Sequence, residues 1–417
     1  MKIMKIDGGK KLTGTIRVSG AKNASVAIIP AAILTDEEVT ICNVPEITDT
    51  DALCDILDDL NVKTSRASGS LIIDPKEMKN VGIKEEHSKK LRASYYFMGA
   101  LLSKYNKCSM FFPGGCSIGA RPIDLHLKGF EALGAVVTKS KNKYTVEAKE
   151  LKGTNIYLDI ASVGATINIM LAAVKAKGTT IIDNAAKEPE IVNVATFLNN
   201  MGARITGAGT SRIKIEGVES LHKCFHEVIP DRIEAGTYII MGALCGERLK
   251  IDNLIPEHLD SLLSKLEEMG VDLEIGQDYV TVSAVDHIKP TTIKTLVYPG
   301  FPTDLQQPFT VLLTQAEGRS KVVETIWENR FMHVSYLNQL GSDITIKNQT
   351  ATIEGKTHLK GTEVVATDLR AGAAMVAAGL IAEGETTITN VEHILRGYEN
   401  IITKLTDVGA KIILIEV

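Results

Sequence analysis

The chain has 417 residues, of which 44% are hydrophobic and 23% charged, with a formal net charge of -5. This length exceeds one ordinary core and predicts two or three domains. The charge excludes a general attraction to nucleic acid or anionic lipid, so an anionic ligand needs a local cationic site. None of the six cysteines forms a Cys-x-x-Cys pair, which indicates reduced thiols. The sequence shows neither an apolar signal segment nor a run long enough to span a bilayer, and therefore predicts a cytoplasmic protein without a membrane partner.

One short pattern closes an amphipathic helix, opens a strand, and recurs at intervals of about 70 residues. Glycine follows the last apolar helix residue in five copies and asparagine in the first, where a left-handed C-cap is favoured. The six copies are Leu60-Asn61-Val62, Leu133-Gly134-Ala135, Met201-Gly202-Ala203, Met269-Gly270-Val271, Leu340-Gly341-Ser342 and Val408-Gly409-Ala410. The chain is therefore predicted to contain six similar units.

A second marker, such as Ile182-Asp183-Asn184, ends a strand in each unit. Before it lies a helix of small and aliphatic residues, for example Ser25–Leu34 or Ala371–Ala382, which is apolar on all sides and belongs inside. The helix after it is amphipathic. We expect two α/β lobes of three units each, divided near Pro230, with buried helices in the middle and sheets around them. An open solenoid is the alternative, but its helices would each keep a solvent face.

Polar or charged residues cluster just before the buried helix of every unit. They are Lys22-Asn23, Arg92-Ala93-Ser94, Ser162-Val163-Gly164, Asp231-Arg232, Thr303-Asp304 and Asp368-Leu369-Arg370. Helix N-termini favour anions, so an anion site is predicted where the lobes face each other. Simple N-capping explains Ser162 and Thr303 equally well. It does not explain the four cations, because a cation at a helix start opposes the dipole.

The second of the six repeats contains the stretch Pro113–His126, in which three glycines surround Cys116. Glycines at this density are typical of a loop whose backbone approaches a ligand. A thiolate at Cys116 would be favoured by the nearby Arg121. The sequence therefore makes Cys116 a candidate for a functional thiol, whereas the other five cysteines read as packing residues.

Several runs together resemble the UDP-N-acetylglucosamine 1-carboxyvinyltransferase family. The runs are Ser19–Asn23, Cys116–Leu125, Pro230–Thr237, Phe301–Asp304, Glu328–His333, Asp368–Gly372 and Arg396–Glu399. The resemblance covers essentially the whole chain and implies the enolpyruvyl transferase fold, an α/β (α+β) architecture of two inside-out α/β barrels built from the six repeats. It also implies that the N-terminal strand crosses over, so that residues 1–20 and 230–417 form one lobe and residues 21–229 form the other with the cysteine loop.

The same resemblance implies the activity. An enzyme of this family transfers the enolpyruvyl group of phosphoenolpyruvate to the 3-hydroxyl of UDP-N-acetylglucosamine, releases phosphate, and starts peptidoglycan biosynthesis without a cofactor or metal. Cys116 resembles the proton donor and the target of the epoxide fosfomycin, and Asp304 resembles the base; Lys22 and Arg396 complete the implied catalytic set. The implied substrate contacts are Lys22, Asn23, Arg92, Arg121, Pro122, Ile123, Asp124, Leu125, Ser162, Val163, Gly164, Asp304, Ile326, Arg370 and Arg396.

Within that set, the phosphate of phosphoenolpyruvate is implied at Lys22, Arg121 and Arg396, and its carboxylate at Arg370 and Arg396. Asn23 would position the tetrahedral intermediate. The nucleotide contacts would be Arg92, residues 121–125, Ser162, Val163, Gly164, Asp304 and Ile326. Guanidinium groups suit these ligands because they bind oxyanions through paired hydrogen bonds.

One position departs from the family pattern, since Leu395 stands where the family usually has aspartate. A catalytically weak or silent paralogue that binds UDP-sugars therefore remains an alternative. The shikimate-pathway enolpyruvyl transferase is a second alternative, but it lacks a loop like that around Cys116. The run His222–His226 has the residue types of a metal site, yet its place near the lobe boundary favours a polar linker. The oligomeric state stays open.

Overall fold

A computed structural model describes residues 2–112 and 122–416. Its helices are α1 Lys22–Ala31, α2 Thr48–Asp59, α3 Glu85–Lys90, α4 Tyr96–Tyr105, α5 Asp124–Ala132, α6 Val163–Ala173, α7 Pro189–Asn200, α8 Arg232–Cys245, α9 Asp260–Glu268, α10 Thr303–Leu313, α11 Val334–Gln339, α12 Leu369–Ile381, α13 Glu392–Leu395 and α14 Ile401–Asp407. Among the described helices, none combines the length and the apolar character that a membrane span requires.

The strands are β1 Lys2–Asp7, β2 Leu12–Arg17, β3 Val39–Cys42, β4 Lys63–Ala67, β5 Ser70–Asp74, β6 Lys107–Phe111, β7 Val136–Lys139, β8 Lys143–Glu147, β9 Asn155–Tyr157, β10 Thr179–Asp183, β11 Arg204–Thr206, β12 Arg212–Glu216, β13 Phe225–Glu227, β14 Gly246–Asp252, β15 Asp272–Ile275, β16 Tyr279–Ser283, β17 Thr292–Lys294, β18 Arg319–Val323, β19 Asp343–Lys347, β20 Thr350–Glu354, β21 Glu363–Val365, β22 Glu385–Thr389 and β23 Lys411–Glu416. The mixture of helices and sheets confirms the predicted α/β class.

The described chain divides into two compact units. Unit 1 contains residues 2–19 and 230–416, and unit 2 contains residues 20–112 and 122–229. Each unit has its own hydrophobic core. The two cores explain how a chain of this length buries its apolar residues.

Unit 2 is built from three sheets around buried helices. The strand orders are β13-β3-β5-β4, β6-β8-β7 and β11-β12-β10-β9. Helix α4 packs against both α1 and α6. In α6 every residue from Ala165 to Ala173 is buried, including the polar Thr166 and Asn168, which confirms the prediction that these helices lie inside. The amphipathic α2, α5 and α7 bury one face only.

Unit 1 repeats this plan. Its strand orders are β15-β16-β14-β2, β17-β18-β20-β19 and β21-β22-β1-β23. Helices α8, α10 and α12 pack against one another, and α12 is buried from Arg370 to Leu380. The amphipathic α9, α11 and α14 each bury part of their surface.

The first two strands of the chain complete the sheets of unit 1. Strand β1 lies between β22 and β23 and is antiparallel to both, with Lys2 opposite Glu416 and Ile6 opposite Thr386. Strand β2 is parallel to β14, with Ile16 opposite Ile251. The N-terminal segment therefore supplies a central strand to one sheet and an edge strand to another.

The predicted helix C-caps are confirmed in all six copies. Asn61 has φ of 59°, and the glycines that take its place in the later copies, such as Gly134 at 98° and Gly341 at 109°, also have positive φ. Glycine adopts this conformation without a Cβ clash, and asparagine tolerates it better than most residues. The repeat seen in the sequence thus reflects one backbone requirement met six times.

The asparagines of the second marker also share one structural role. Asn43, Asn184 and Asn253 all have positive φ. The side-chain amide of Asn43 donates to the carbonyl of Val228 at 2.9 Å, and that of Asn253 donates to the carbonyl of Val18 at 2.8 Å. Each amide therefore links the end of one strand to the chain that leaves the neighbouring parallel strand.

Only the first part of the run His222–His226 is the polar linker that its sequence suggested, because His222, Lys223 and Cys224 precede β13 and the first two are exposed. Phe225 and His226 belong to β13, which pairs in parallel with β3. His226 is buried and lies 3.1 Å from the amide nitrogen of Asn193. Within the described residues no group of three or more His, Cys, Asp or Glu side chains could hold a metal ion. Strand pairing therefore explains the positions of Phe225 and His226.

Replacing Gly217 by alanine is expected to destabilise unit 2 by about 1–3 kcal/mol, the range for overpacking a tight site. Gly217 follows β12 and donates to the carbonyl of Gly178 at 2.9 Å. A Cβ there would overlap the carbonyl oxygen of Ala176, and backbone cannot move aside as a side chain can. Chemical denaturation measures the loss. Gly82→Ala is the matched control because its added methyl would meet nothing within 4 Å; equal stability of the two variants would contradict the prediction.

Candidate active site

In unit 2, Lys22 is the first residue of α1 and is paired with Asp49, near the start of α2. The ammonium nitrogen of Lys22 lies 2.9 Å from a carboxylate oxygen of Asp49, and the two side chains are 13% and 5% exposed. Asn23 follows in the same helix and is half-buried. The start of α1 therefore carries a mostly buried cation whose charge a buried carboxylate balances.

The start of α6 brings together three predicted nucleotide contacts. Ser162 is the N-cap, and its hydroxyl accepts from the N–H of Ala165 at 3.3 Å. Val163 and Gly164 open the helix, where unpaired N–H groups and the macrodipole favour an anion. Glycine suits position 164, because a Cβ there would lie 2.8 Å from the hydroxyl oxygen of Tyr95 and one of the two would have to shift.

Arg92 opens a short 3-10 helix, Arg92–Tyr95, and its guanidinium lies 5.9 Å from the centre of the Tyr95 ring. The Tyr95 hydroxyl also lies close to Gly164. The Tyr95 side chain therefore adjoins predicted nucleotide contacts from two of the six repeats. Pro122 and Ile123 precede α5, which begins at Asp124 and continues through Leu125. Pro122 and Asp124 are exposed, Ile123 is buried, and Leu125 is half-buried.

In unit 1, Asp304 is held between two arginines. Arg330 donates from Nη2 to Oδ1 of Asp304 at 2.8 Å. Arg370 donates from Nε and Nη2 to Oδ2 at 3.3 Å and 3.2 Å. The arginine side chains are 3% and 4% exposed, whereas Asp304 is 28% exposed. The two cations stabilise the ionised carboxylate and fix its orientation, while its outer face stays open to solvent.

Arg330 had no role in the sequence analysis, although it lies within one of the recognised runs. Its contact with Asp304 depends on the packing of α10 against the segment before α11, which sequence periodicity does not report. The isolated arginine in a run that also contains Asn329 and His333 was the only signal available.

Glu324 is a second residue that the sequence did not reveal. Its fully buried carboxylate accepts from the hydroxyls of Thr295 at 2.8 Å and Thr303 at 2.9 Å, and from the N–H of Ile326 at 2.8 Å. Thr303 precedes Asp304, and Ile326 is a predicted nucleotide contact. Glu324 therefore links three segments of unit 1: Thr295, Thr303 at the start of α10, and the backbone of Ile326.

The start of α12 positions Arg370. Asp368 is the N-cap and accepts from the N–H groups of Arg370 at 2.9 Å and Ala371 at 3.0 Å. The Arg370 guanidinium lies 5.3 Å from the centre of the Tyr398 ring. Burial lowers the pKa of Arg370, but Tyr398 and Asp304 outweigh burial and raise that pKa above the usual arginine value. Arg370 is therefore a permanent cation at a helix N-terminus.

Arg396 is the C-cap of α13 and is half-buried. Leu395, which departs from the family pattern, packs partly buried against the core of unit 1. Its side chain therefore has an apolar role in this chain.

A buried polar network ties Ser19 to the segment after Arg396. Glu234 accepts from the N–H of Ser19 at 2.7 Å and from the ammonium of Lys404 at 2.7 Å. Lys404 also donates to the Ser19 hydroxyl at 2.6 Å, and that hydroxyl donates to Glu399. The N–H of Asp231, the N-cap of α8, donates to the carbonyl of Ser19 at 2.9 Å. Ser19 is thus fixed by side chains from both ends of unit 1.

The parent chain is expected to lose stability as pH rises because of Glu234, and the Glu234→Gln variant is expected to lack this part of the pH dependence. Burial raises the pKa of Glu234 to about 7, with Lys404 offsetting part of the effect. Because the folded-state pKa exceeds the unfolded one, the folded state binds the extra proton, so this contribution is present at low pH and is lost as pH rises from about 4.5 to about 7. The loss amounts to roughly 3 kcal/mol at 1.36 kcal/mol per pKa unit.

Urea unfolding at about pH 5 and about pH 8 measures this difference between parent and variant. Glu363→Gln is the matched control, since Glu363 is exposed on a strand of the same unit. A Glu234→Gln variant that keeps the pH dependence of the parent would show that Glu234 does not cause it.

The cations predicted at helix starts are partly balanced by groups of their own unit. Asp49 pairs with Lys22, Asp304 pairs with Arg370, and the Arg232 guanidinium lies 5.4 Å from the centre of the Tyr298 ring. Their placement alone therefore does not require a bound anion. Cys116 and Arg121 lie outside the described residues.

The fold is similar to those of known enolpyruvyl transferases. The crystal structure of the enolpyruvyl transferase NikO from Streptomyces tendae superimposes with a TM-score of 0.89 at 27% identity, covering 99% of both chains. EPSP synthase from Acinetobacter baumannii superimposes with a TM-score of 0.75 over 100% of both chains, at 19% identity. The family described as EPSP synthase (3-phosphoshikimate 1-carboxyvinyltransferase) matches residues 6–405. The class defined by the fold is therefore that of the enolpyruvyl transferases, as predicted.

Curated relatives show which family of enolpyruvyl transferases the chain resembles. UDP-N-acetylglucosamine 1-carboxyvinyltransferase 2 of Listeria monocytogenes is 54% identical over 407 residues, which are 98% of this chain and 96% of the relative. The protein of the same name from Geobacillus kaustophilus is 54% identical over 409 residues, with the same coverage. The chain belongs to the UDP-N-acetylglucosamine 1-carboxyvinyltransferase family.

Proposed function

We propose that this chain transfers the enolpyruvyl group of phosphoenolpyruvate to the 3-hydroxyl of UDP-N-acetylglucosamine and releases phosphate, in the cytoplasm, as the first committed step of peptidoglycan biosynthesis. The observation that carries the proposal is the 54% identity to relatives of that name over nearly the whole chain. The Asp304 carboxylate, oriented by Arg330 and Arg370, supports it because the reaction needs a base beside cations that bind an acidic substrate.

The proposed reaction is an addition followed by an elimination. Asp304 takes the proton of the sugar hydroxyl as its oxygen bonds to C2 of phosphoenolpyruvate, and Cys116 gives a proton to C3. A proton then returns from C3 to the Cys116 thiolate, the C2–O bond to phosphate breaks, the departing phosphate takes the proton held by Asp304, and the double bond reforms in the product. The net result exchanges a phosphate ester for an ether, so no oxidant, reductant or metal is needed.

We assign the anionic groups of the substrates to the cations that the family resemblance implies. Lys22, Arg121 and Arg396 would hold the phosphate of phosphoenolpyruvate, and Arg370 with Arg396 would hold its carboxylate. Asn23 would position the tetrahedral intermediate. The nucleotide would contact Arg92, residues 121–125, Ser162–Gly164, Asp304 and Ile326. Burial of Lys22 and Arg370 supports this assignment, since a cation shielded from water binds an oxyanion more strongly.

Phosphate release from phosphoenolpyruvate tests the proposal with two alternative acceptors. We expect release with UDP-N-acetylglucosamine and none with shikimate 3-phosphate. Release with shikimate 3-phosphate alone would identify the shikimate-pathway reaction instead. Binding of UDP-N-acetylglucosamine without release, at any phosphoenolpyruvate concentration, would identify a silent paralogue. Mass spectrometry of the product, which gains a carboxyvinyl group, confirms that phosphate release reflects transfer rather than hydrolysis.

A further inference from the structure

His126 is a buried histidine that the proposed mechanism does not use. It lies in α5, is 5% exposed, and its Nδ1 is 3.0 Å from the side-chain nitrogen of Asn168 in α6. The Asn168 amide is itself oriented by the backbone. Its oxygen accepts from the N–H of Gly99 at 2.9 Å, and its nitrogen donates to the carbonyl of Tyr95 at 2.9 Å. The amide cannot flip without losing both bonds.

The fixed amide determines where the imidazole carries its proton. Since Asn168 presents its NH2 group to His126, Nδ1 of the ring has to accept, and a neutral ring then carries its proton on Nε2. Burial, together with the positive charge of Arg92, lowers the pKa of His126 to about 3. The third side chain against the ring is Tyr95, in an edge-on contact with centroids 4.7 Å apart. The imidazole is therefore neutral near pH 7.

The Cε1–Nε2 edge of the His126 ring lies against the start of α6. A Cβ added to Gly164 would lie 3.1 Å from Nε2 of His126, so the ring edge adjoins the backbone of the first helical turn. Within the described part of the chain, Nε2 makes no hydrogen bond; the ring's polar contact is the one that Nδ1 makes with Asn168. The helix start thus combines the N–H groups of α6 with one further donor.

We propose that His126 is a nucleotide-recognition residue, which donates a hydrogen bond from Nε2 to a diphosphate oxygen of the nucleotide bound at the start of α6. Asn168 is then a positioning residue, because it fixes the tautomer. This inference rests on the proposed function, in which a UDP-sugar occupies Ser162–Gly164. A neutral donor of fixed tautomer holds the phosphate equally well across the physiological pH range, whereas an imidazolium would not.

The first test compares two substitutions of His126. His126→Leu removes the donor and keeps an apolar side chain of similar size, whereas His126→Gln can place an amide N–H near the position of Nε2. We expect His126→Leu to raise the KM for UDP-N-acetylglucosamine about ten-fold or more with little change in kcat, as loss of a hydrogen bond to a charged group does. The KM for phosphoenolpyruvate should stay unchanged, and His126→Gln should recover most of the loss.

The second test changes the tautomer. Asn168→Asp replaces the donor by an acceptor, so the ring has to carry a proton on Nδ1. We expect the KM for UDP-N-acetylglucosamine to be flat with pH in the parent chain and to rise with pH in Asn168→Asp, as the ring loses its Nε2 proton. Asn193→Asp is the matched control. Asn193 contacts the buried His226 at 3.1 Å instead of His126, and its variant should keep the flat profile.

A third measurement does not depend on turnover. Nitrogen NMR of the parent chain should show one histidine held as the neutral Nε2–H tautomer, assigned to His126 by its loss in His126→Gln, and its Nε2 signal should shift when UDP is added. An Nδ1–H tautomer, or UDP affinity equal in parent and His126→Leu by calorimetry, would overturn the inference. If UDP binds through His126 but no phosphate is released with UDP-N-acetylglucosamine, the inference stands and the proposed function fails.

Discussion

Replacing Cys116 by alanine is expected to abolish phosphate release, with kcat reduced by about 10³-fold or more, near the upper range for loss of a general acid. The same variant should no longer be labelled by the epoxide fosfomycin, because alanine offers no nucleophile. Cys116 lies outside the described residues, so both expectations depend on the sequence. Three glycines allow the backbone close to a ligand, and Arg121, close by in the sequence, favours the thiolate that would react with the epoxide. Steady-state phosphate release and mass spectrometry after fosfomycin treatment measure the two effects.

Cys224→Ala is the matched control for this experiment. Burial raises the pKa of the Cys224 thiol to about 11, so this thiol is almost entirely protonated at neutral pH and reacts slowly with an epoxide. The control variant should keep both turnover and labelling. Near-normal turnover in Cys116→Ala would refute the role of Cys116 as proton donor.

Replacing Asp304 by asparagine is expected to lower kcat by about 10²–10⁴-fold, since an amide cannot take the proton of the sugar hydroxyl. The substitution keeps the shape of the side chain, but it removes the carboxylate that Arg330 and Arg370 contact at 2.8 Å and 3.2 Å. Both arginines are buried, so the variant should also be less stable than the parent. The loss should be at most about 3–5 kcal/mol, the range for breaking a buried ion pair. Kinetics and chemical denaturation separate the two effects.

Asp343→Asn serves as the control, because Asp343 is an exposed strand residue of the same unit. A further variant, Arg330→Lys, keeps a cation near Asp304 but not the planar donor pair, and it should retain more activity than Asp304→Asn. If Asp304→Asn folds with parent-like stability and turns over at the parent rate, Asp304 is neither the base nor a necessary partner of the two arginines.

The repeat architecture could be predicted because local backbone chemistry causes it. A helix that ends in a left-handed residue needs glycine or asparagine there, and the six C-caps meet this need with φ between 59° at Asn61 and 109° at Gly341. The buried helices could be recognised for a similar reason, since a helix without a polar face has to be covered on all sides. These signals depend on neighbours in the sequence, so they can be recognised without any knowledge of tertiary contacts.

The partners of the charged residues could not be predicted, because tertiary packing chooses them. Lys22 contacts Asp49, which lies in a different helix, and Asp304 contacts Arg370 across the packing of α10 and α12. The same limit explains His226. Its neighbours in the sequence suggested a metal site or a linker, whereas its buried environment comes from Asn193 and the pairing of β13 with β3.

The position of β1 has a consequence for the order in which the protein is made. β1 is synthesised well before both of its neighbours in the sheet, β22 and β23. Residues 20–229, which hold unit 2, are complete before α8 has been translated. β1 therefore remains unpaired, with its apolar face exposed, until β22 and β23 have been synthesised. This interval is when a chaperone that shields exposed strands would be of most use to the chain.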